Sequence, residues 1–265
     1  MKIYSGFASV YDALMYDAPY GEWARQIDAW ASVNEKPSPE EAEPGSVGKE
    51  DDFSGGNGRV LLDLGCGTGS ISVIFSKMGY SVIGVDISED MLGVAYKKSR
   101  DNGCDILFVN QDIAKLDLYG TVDVCVSVCD VMNYILETEK LQRVFNRVSL
   151  FMNPGGVFVF DMNTLHKFRD KLMDKTFAGT GAGGESYVWE NNFCEKSMVN
   201  TYDVVFGKGK RSFRERHLQR AYESCEIIRM LHEAGFVSVQ AKDGYSENPL
   251  SVNSLRAVYV ARKGL

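Results

Sequence analysis

Between residues 59 and 162 apolar residues fall in short runs, each closed by a polar or acidic position. Longer stretches follow each run, with apolar residues every three or four places. This pattern predicts strands over 60–64, 81–85, 105–109, 122–128 and 157–161. Helices are predicted over 69–78, 89–102 and 138–152, with a short helical stretch after the third strand. Such alternation predicts a parallel sheet covered by helices on both faces. The run Asn153-Pro154-Gly155-Gly156 predicts a turn before the fifth strand.

The flanks follow other periods. Tyr4, Phe7, Tyr11, Leu14 and Met15 recur at helical spacing until Pro19 interrupts them, and a second helix from Tyr20 to Ala31 carries Trp23, Ile27 and Trp30 on one face. Residues 34–58 are rich in acids, Pro, Gly and Ser with almost nothing apolar, the composition of a flexible surface segment. After Asp161 come a polar helix (Leu165–Met173), a glycine-rich stretch (Gly179–Gly184) and alternating segments over 186–194, 198–206 and 211–220. Turns near Glu195-Lys196 and Gly207–Gly209 make these an antiparallel sheet inserted into the parallel architecture. A helix over 222–234, stopped by Gly235, and strands over 236–242 and 255–262 close the chain. The expected organisation is an N-terminal helical lid (1–33), the flexible segment (34–58), a cofactor domain (59–162 with 222–265) and an antiparallel substrate cap (163–221).

The first strand opens the chemistry. Residues 60–70 read VLLDLGCGTGS, an apolar run ending in an acid and then Gly65, Gly67 and Gly69 at alternate positions, while Asp86 ends the second apolar run. Strand, glycine turn, helix, strand and acid is the layout of a pocket for an adenosine-containing cofactor at the carboxyl edge of a parallel sheet. A dinucleotide fold requires G-x-G-x-x-G, but here the third glycine arrives one residue early and Ser70 holds the dinucleotide position. Asp63 suits the ammonium of a bound amino acid better than a pyrophosphate. Asp86 has the place to accept both hydroxyls of a ribose, and Asp112 to accept from an adenine amino group with the Ile113 amide beside the ring.

These segments resemble class I S-adenosylmethionine-dependent methyltransferases. DLGCGTG is similar to the family's first motif, GVDIS to its second, NQDI to its adenine-contact segment and NPGGVFVFD to the entry to its fifth strand. The N-terminal YSGFASVYDALM, the segment CDVMNY from Cys129 and the HLQRAY from His217 look like a bacterial small-molecule branch. The resemblance implies a Rossmann-like α/β fold with a seven-stranded, mostly parallel sheet whose last strand is antiparallel, and an antiparallel β insert capping the substrate side. It implies S-adenosylmethionine as cofactor, S-adenosylhomocysteine as product, and methyl transfer to N or O of a small-molecule acceptor. The cofactor residues implied are Asp63, Gly65, Cys66, Gly67, Thr68, Gly69, Asp86, Ile87, Met91, Gln111, Asp112, Ile113, Cys129 and Asp130. Tyr4, Phe7, Asn133 and Arg220 are the acceptor-binding candidates; Tyr11, Tyr134 and His217 are the catalytic ones, with His217 expected on an exposed strand.

Composition narrows this picture. A formal net charge of -7 argues against a nucleic-acid surface, and the basic run Lys208–Arg211 is expected to be a solvated hairpin turn. The six cysteines form no C-x-x-C pair, so neither a metal knuckle nor a disulfide framework is expected. With no signal-peptide pattern or membrane-length apolar run, a reduced cytoplasmic protein is expected, monomer or homodimer. An NAD-dependent oxidoreductase and a non-catalytic cofactor-binding regulator are the alternative readings.

Overall fold

Two helices lead the chain, α1 (Ala8–Leu14) and α2 (Tyr20–Ser32), in a computed structural model that describes residues 8–32, 58–180, 186–207 and 212–265. The central unit then alternates: β1 (Val60–Leu64), α3 (Ser70–Lys77), β2 (Ser81–Asp86), α4 (Glu89–Asp101), β3 (Ile106–Asn110), β4 (Val122–Ser127), α5 (Thr138–Phe151) and β5 (Met152–Asn163). Strands β6 (Thr176–Thr180), β7 (Ser186–Cys194), β8 (Val199–Phe206) and β9 (Phe213–Arg220) follow, then α6 (Ser224–Glu233), β10 (Phe236–Asp243) and β11 (Arg256–Lys263).

Seven strands form one sheet in the order β10-β11-β5-β4-β1-β2-β3. β11 is antiparallel to both of its neighbours, β10 and β5, while the pairs among β1 to β5 are parallel. The strand order reverses between β1 and β4, so the loops after both open at the same carboxyl edge, where ligands bind in open α/β sheets. β6 to β9 form a separate antiparallel sheet.

Near-continuous apolar strands are what two-sided burial demands. On one face Leu141, Val144, Phe145 and Val148 of α5 and Ile227, Met230 and Leu231 of α6 pack with Phe158, Phe160 and Tyr259. On the other face Ala24, Ile27 and Trp30 of α2 and Ile71 and Phe75 of α3 pack with Leu61, Val124, Val159 and Val258. Each large side chain so buried contributes about 1.5–3 kcal/mol. A smaller cluster of Phe168, Leu172, Phe193 and Ala221 seats the second sheet.

Three local expectations need correction. β5 begins at Met152, not at 157: Val122 pairs with Met152 and Val124 with Val157, so Asn153–Gly156 bulge out within the strand. The polar helix expected over 165–173 is present over 165–172 but is wound as a π-helix from Lys167 to Leu172. Part of the glycine-rich stretch is strand β6, held as an edge by pairing with β7. Tyr4, Phe7, the segment 34–57, the rest of the glycine-rich stretch and the Lys208–Arg211 turn lie outside the described residues.

Candidate active site

At the carboxyl edge of the large sheet lies a cavity of about 1520 Å³, bounded by the glycine loop, the ends of β2 and β4, Tyr11 of α1 and the inner face of the second sheet. Pockets for one small molecule measure roughly 300–1,000 Å³. This one has room for two.

The glycine loop is shaped by its neighbours. Gly65 has φ +77, and a Cβ there would meet Val131 Cγ1 at 2.6 Å, so only glycine lets the loop after β4 approach. At Gly67 a Cβ would find nothing within 4 Å, which leaves that backbone open on the cavity wall. Asp86 ties the loop to β2: its Oδ2 accepts from Gly67 N–H at 2.8 Å and its Oδ1 from Ser88 N–H at 2.8 Å. Burial pushes the Asp86 carboxyl up, and these backbone donors draw it back part of the way. Next to it Ile87 is 65% exposed, an apolar platform at the cavity's edge. Ser88 caps α4 by accepting from Met91 N–H.

Behind the loop, Asp63 is buried and accepts from Ser72 Oγ–H, while its Oδ1 has no hydrogen-bond partner. Burial pushes this carboxyl up to about 7; the Ser72 bond opposes that rise and the charge of Asp86 adds to it. Burial, reinforced by Asp63 and Asp86, raises the Cys66 thiol well above its ordinary range, so it is neutral and no nucleophile.

The loop after β4 is held from below. Cys129 and Asp130 both adopt left-handed backbone conformations, φ 62 and φ 53, which cost energy for residues with a Cβ. The buried Asp161 carboxylate accepts both their N–H groups, at 3.1 and 2.6 Å, and the Tyr245 hydroxyl at 2.5 Å. Arg256 places Nη1 2.7 Å from Asp161 and Nη2 3.3 Å from Asp130. Gln219 of β9 donates to Asp130 Oδ2 at 2.5 Å, joining the second sheet to the loop. Burial pushes the Cys129 thiol up to about 12, so this cysteine too is neutral.

The second sheet turns a polar face inward. Glu215, His217 and Gln219 alternate with exposed residues along β9 and are buried. His217 stacks on Tyr202 with ring centroids 4.7 Å apart, its Nδ1 is 3.3 Å from the Tyr134 hydroxyl, and its Nε2 is 3.4 Å from Glu215 Oε2. The hydroxyls of Tyr134 and Tyr202 are hydrogen-bonded to each other.

A methyltransferase-domain family model matches residues 61–156. The chain is 32% identical over 98% of its length, and 97% of the relative's, to a Bacillus subtilis protein named "Putative methyltransferase YqeM". The chain belongs to the class I S-adenosylmethionine-dependent methyltransferases. Among solved structures it is similar to an S-adenosylmethionine-dependent methyltransferase from Clostridium acetobutylicum (TM-score 0.79, 26% identity, 99% of each chain covered). It shares its fold with an amino pentose methyltransferase from Micromonospora echinaspora (TM-score 0.69, 16% identity, covering 99% of this chain and 98% of that one).

The open backbone at Gly67, the carboxylate at the tip of β2 and the apolar Ile87 fit the adenosyl cofactor of this methyltransferase. Of the residues marked by resemblance for the cofactor, Gly65, Cys66, Gly67, Thr68, Asp86, Ile87, Met91, Asp112, Ile113, Cys129 and Asp130 line the cavity. Asp63 lies behind the wall rather than on it. Gly69 is a packing position, where a Cβ would stand 3.0 Å from that of Ala95. Gln111 braces its own loop by bonds to the backbone of Asp117 and does not reach the cavity. Asp112 is on the wall, but its carboxylate already accepts from Ala114 N–H and pairs with Lys140 at 3.0 Å. Burial would raise it; those partners outweigh burial and hold it low.

The catalytic candidates Tyr11, Tyr134 and His217 all stand on the wall. His217 is 1% exposed, against the expectation of an exposed strand, because β9 faces inward over the cavity. Asn133 is a buried clasp: it donates to the backbone oxygens of Asn163 and Arg220 and accepts from Asn163 N–H. Arg220 turns away, donating to Leu136 O and lying over the Tyr222 ring. Missed from sequence were Asp161, Arg256 and Tyr245 under the loop, and Glu215 and Tyr202 on the wall. Asp161 ends its apolar run just as Asp63 and Asp86 end theirs, and that was the available signal. Among the described residues no helix is long and apolar enough to cross a membrane, and no group of side chains is set to hold a metal ion.

Proposed function

We propose that this methyltransferase transfers the methyl group of S-adenosylmethionine to a nitrogen or oxygen of a small molecule held between the glycine loop and the inner face of β7 to β9. The cavity itself carries this reading. It is continuous from Asp86 to His217, and its size suits cofactor and acceptor side by side.

The bound cofactor supplies an activated methyl on a sulfonium. The chain's work is therefore alignment, exclusion of water and control of the acceptor's proton. Asp86 receives the ribose hydroxyls, Gly67 offers open backbone, and Ile87, Met91 and Ile113 surround the adenine. The segment 163–221 acts as the acceptor's cap. Helix α1 acts as a lid: Asp12 accepts from the Thr68 hydroxyl at 2.7 Å and pairs with Lys98 at 2.8 Å, fastening α1 over the glycine loop.

The test is an unbiased screen of a bacterial metabolite extract with methyl-labelled S-adenosylmethionine. Label in a small organic acceptor and release of S-adenosylhomocysteine are expected. Label found only in macromolecules overturns the acceptor class.

A further inference from the structure

The proposed function leaves open how the acceptor sheds its proton and which atom is methylated. Resting on that reading, we infer that Tyr134, His217 and Glu215 form a proton relay for an acceptor amine that enters as its ammonium ion.

The three groups lie in order across the cavity wall. The Tyr134 hydroxyl is 3.3 Å from His217 Nδ1, and His217 Nε2 is 3.4 Å from Glu215 Oε2. In this order the Tyr134 hydroxyl holds the ring at Nδ1, and the carboxylate beside Nε2 supplies the charge that stabilises an imidazolium when Nδ1 takes a proton. The ring is fixed further by stacking on Tyr202, 4.7 Å away and inclined by 9°. His217 and Glu215 are 1% and 8% exposed, so bulk water does not compete for the transferred proton.

Imidazole strength decides between nitrogen and oxygen. Passing an ammonium proton to histidine is uphill by about four pK units, within reach of a step drawn forward by methyl transfer, whereas an aliphatic hydroxyl proton is held far more tightly. The rings of Tyr134, Trp189 and Tyr202 line the cavity together with the Glu215 carboxylate, groups that attract a cation.

The step balances. The ammonium N–H passes its proton to the Tyr134 oxygen as the tyrosine proton moves to His217 Nδ1, and Glu215 faces the resulting imidazolium. The freed nitrogen lone pair forms the N–CH₃ bond as the S–CH₃ bond breaks, the bonding electrons remaining on sulfur. Tyr134 is the catalytic residue. His217 and Glu215 act through it and are positioning residues.

Two readouts test this. The chain has three histidines, so ¹⁵N-histidine NMR at pH 8 with S-adenosylhomocysteine bound can follow His217 alone. Tyr134→Phe should move the Nδ1 resonance and Glu215→Gln the Nε2 resonance, each with S-adenosylhomocysteine affinity within about twofold of wild type. Signals that stay put in both variants overturn the relay. In the labelled-extract assay, blocking primary amines with an amine-selective acetylating ester should abolish methyl transfer, and Glu215→Gln and His217→Asn should lower kcat about 100-fold with little change in KM. Transfer that survives the block, or variants with wild-type kcat, overturns the proposal. Failure of the wild type to bind S-adenosylhomocysteine at all would instead overturn the methyltransferase reading.

Discussion

Arg256 Nη1 lies 2.7 Å from Asp161 Oδ1, joining a partly covered cation on β11 to a fully buried carboxylate on β5. The same carboxylate holds the left-handed Cys129–Asp130 backbone at the edge of the cavity. Arg256 also lies over the Trp23 ring, and Tyr245 stacks on Trp23 at 4.8 Å, so α2, β5, β11 and the loop after β4 meet at one point.

Asp161→Ala leaves two strained backbone N–H groups unpaired and the Arg256 cation with Asp130 as its remaining carboxylate. Breaking such a pair costs about 3–5 kcal/mol, so urea unfolding should show a loss of that order. Arg256→Lys, which keeps the charge but not the fork, should cost less.

Asp63 sets a pH dependence of stability. Its folded-state pKa, about 7, lies above its unfolded value, so between roughly pH 4 and 7 the folded chain binds more protons than the unfolded one. This group's contribution is therefore most favourable below pH 4, falls as pH rises to about 7, and is level above that. Asp63→Asn keeps an acceptor for Ser72 and should flatten this slope. Relative to wild type the variant should gain stability on moving from pH 4 to pH 8, by on the order of a few kcal/mol, in urea titrations at the two values.

Asp86 and Asp112 both stand at strand ends on the cavity wall, yet their prospects differ. Asp86→Ala removes the acceptor proposed for the ribose and frees the Gly67 and Ser88 N–H groups. Hydrogen bonds to a charged group are worth about 1.5–3 kcal/mol, so S-adenosylmethionine affinity should fall at least tenfold in titration calorimetry. Asp112→Ala, whose carboxylate is already engaged by Ala114 and Lys140, should fall less than tenfold.

Helix α1 is fastened by a half-exposed ion pair and two hydroxyls, contacts worth about 1 kcal/mol or less for the pair. Asp12→Ala should leave the melting temperature nearly unchanged. Hydrogen exchange over residues 8–16 should be weakly protected in the free protein, strongly protected with S-adenosylhomocysteine, and faster in this variant. Tyr11→Ala should lower turnover more than stability. Full protection of that helix without cofactor would make it core and not a lid.

The alternation of strands and helices over 59–162 and the glycine loop were legible because strands buried on both faces must be apolar throughout and a tight strand-to-helix turn must use glycine; the count of seven strands came from the family resemblance, and their order from the structure. The second sheet was harder. Arg214, Arg216 and Leu218 are as exposed as ordinary surface residues, but Glu215 and His217 between them face a cavity, and a polar residue looks the same in sequence on either face. Asn133 and Arg220 misled for the related reason that polar residues near a site also serve as clasps. The bulge at Asn153–Gly156 read as a turn because Pro and Gly mark both.

The central claim is that one cavity holds the cofactor against the glycine loop with its reacting end toward the polar wall of β9. A crystal structure with S-adenosylhomocysteine tests it most directly. The account predicts both ribose hydroxyls on the Asp86 carboxylate and the sulfur on the side bounded by Tyr134 and Glu215. A ribose bound elsewhere, or a sulfur facing away from that wall, would contradict it.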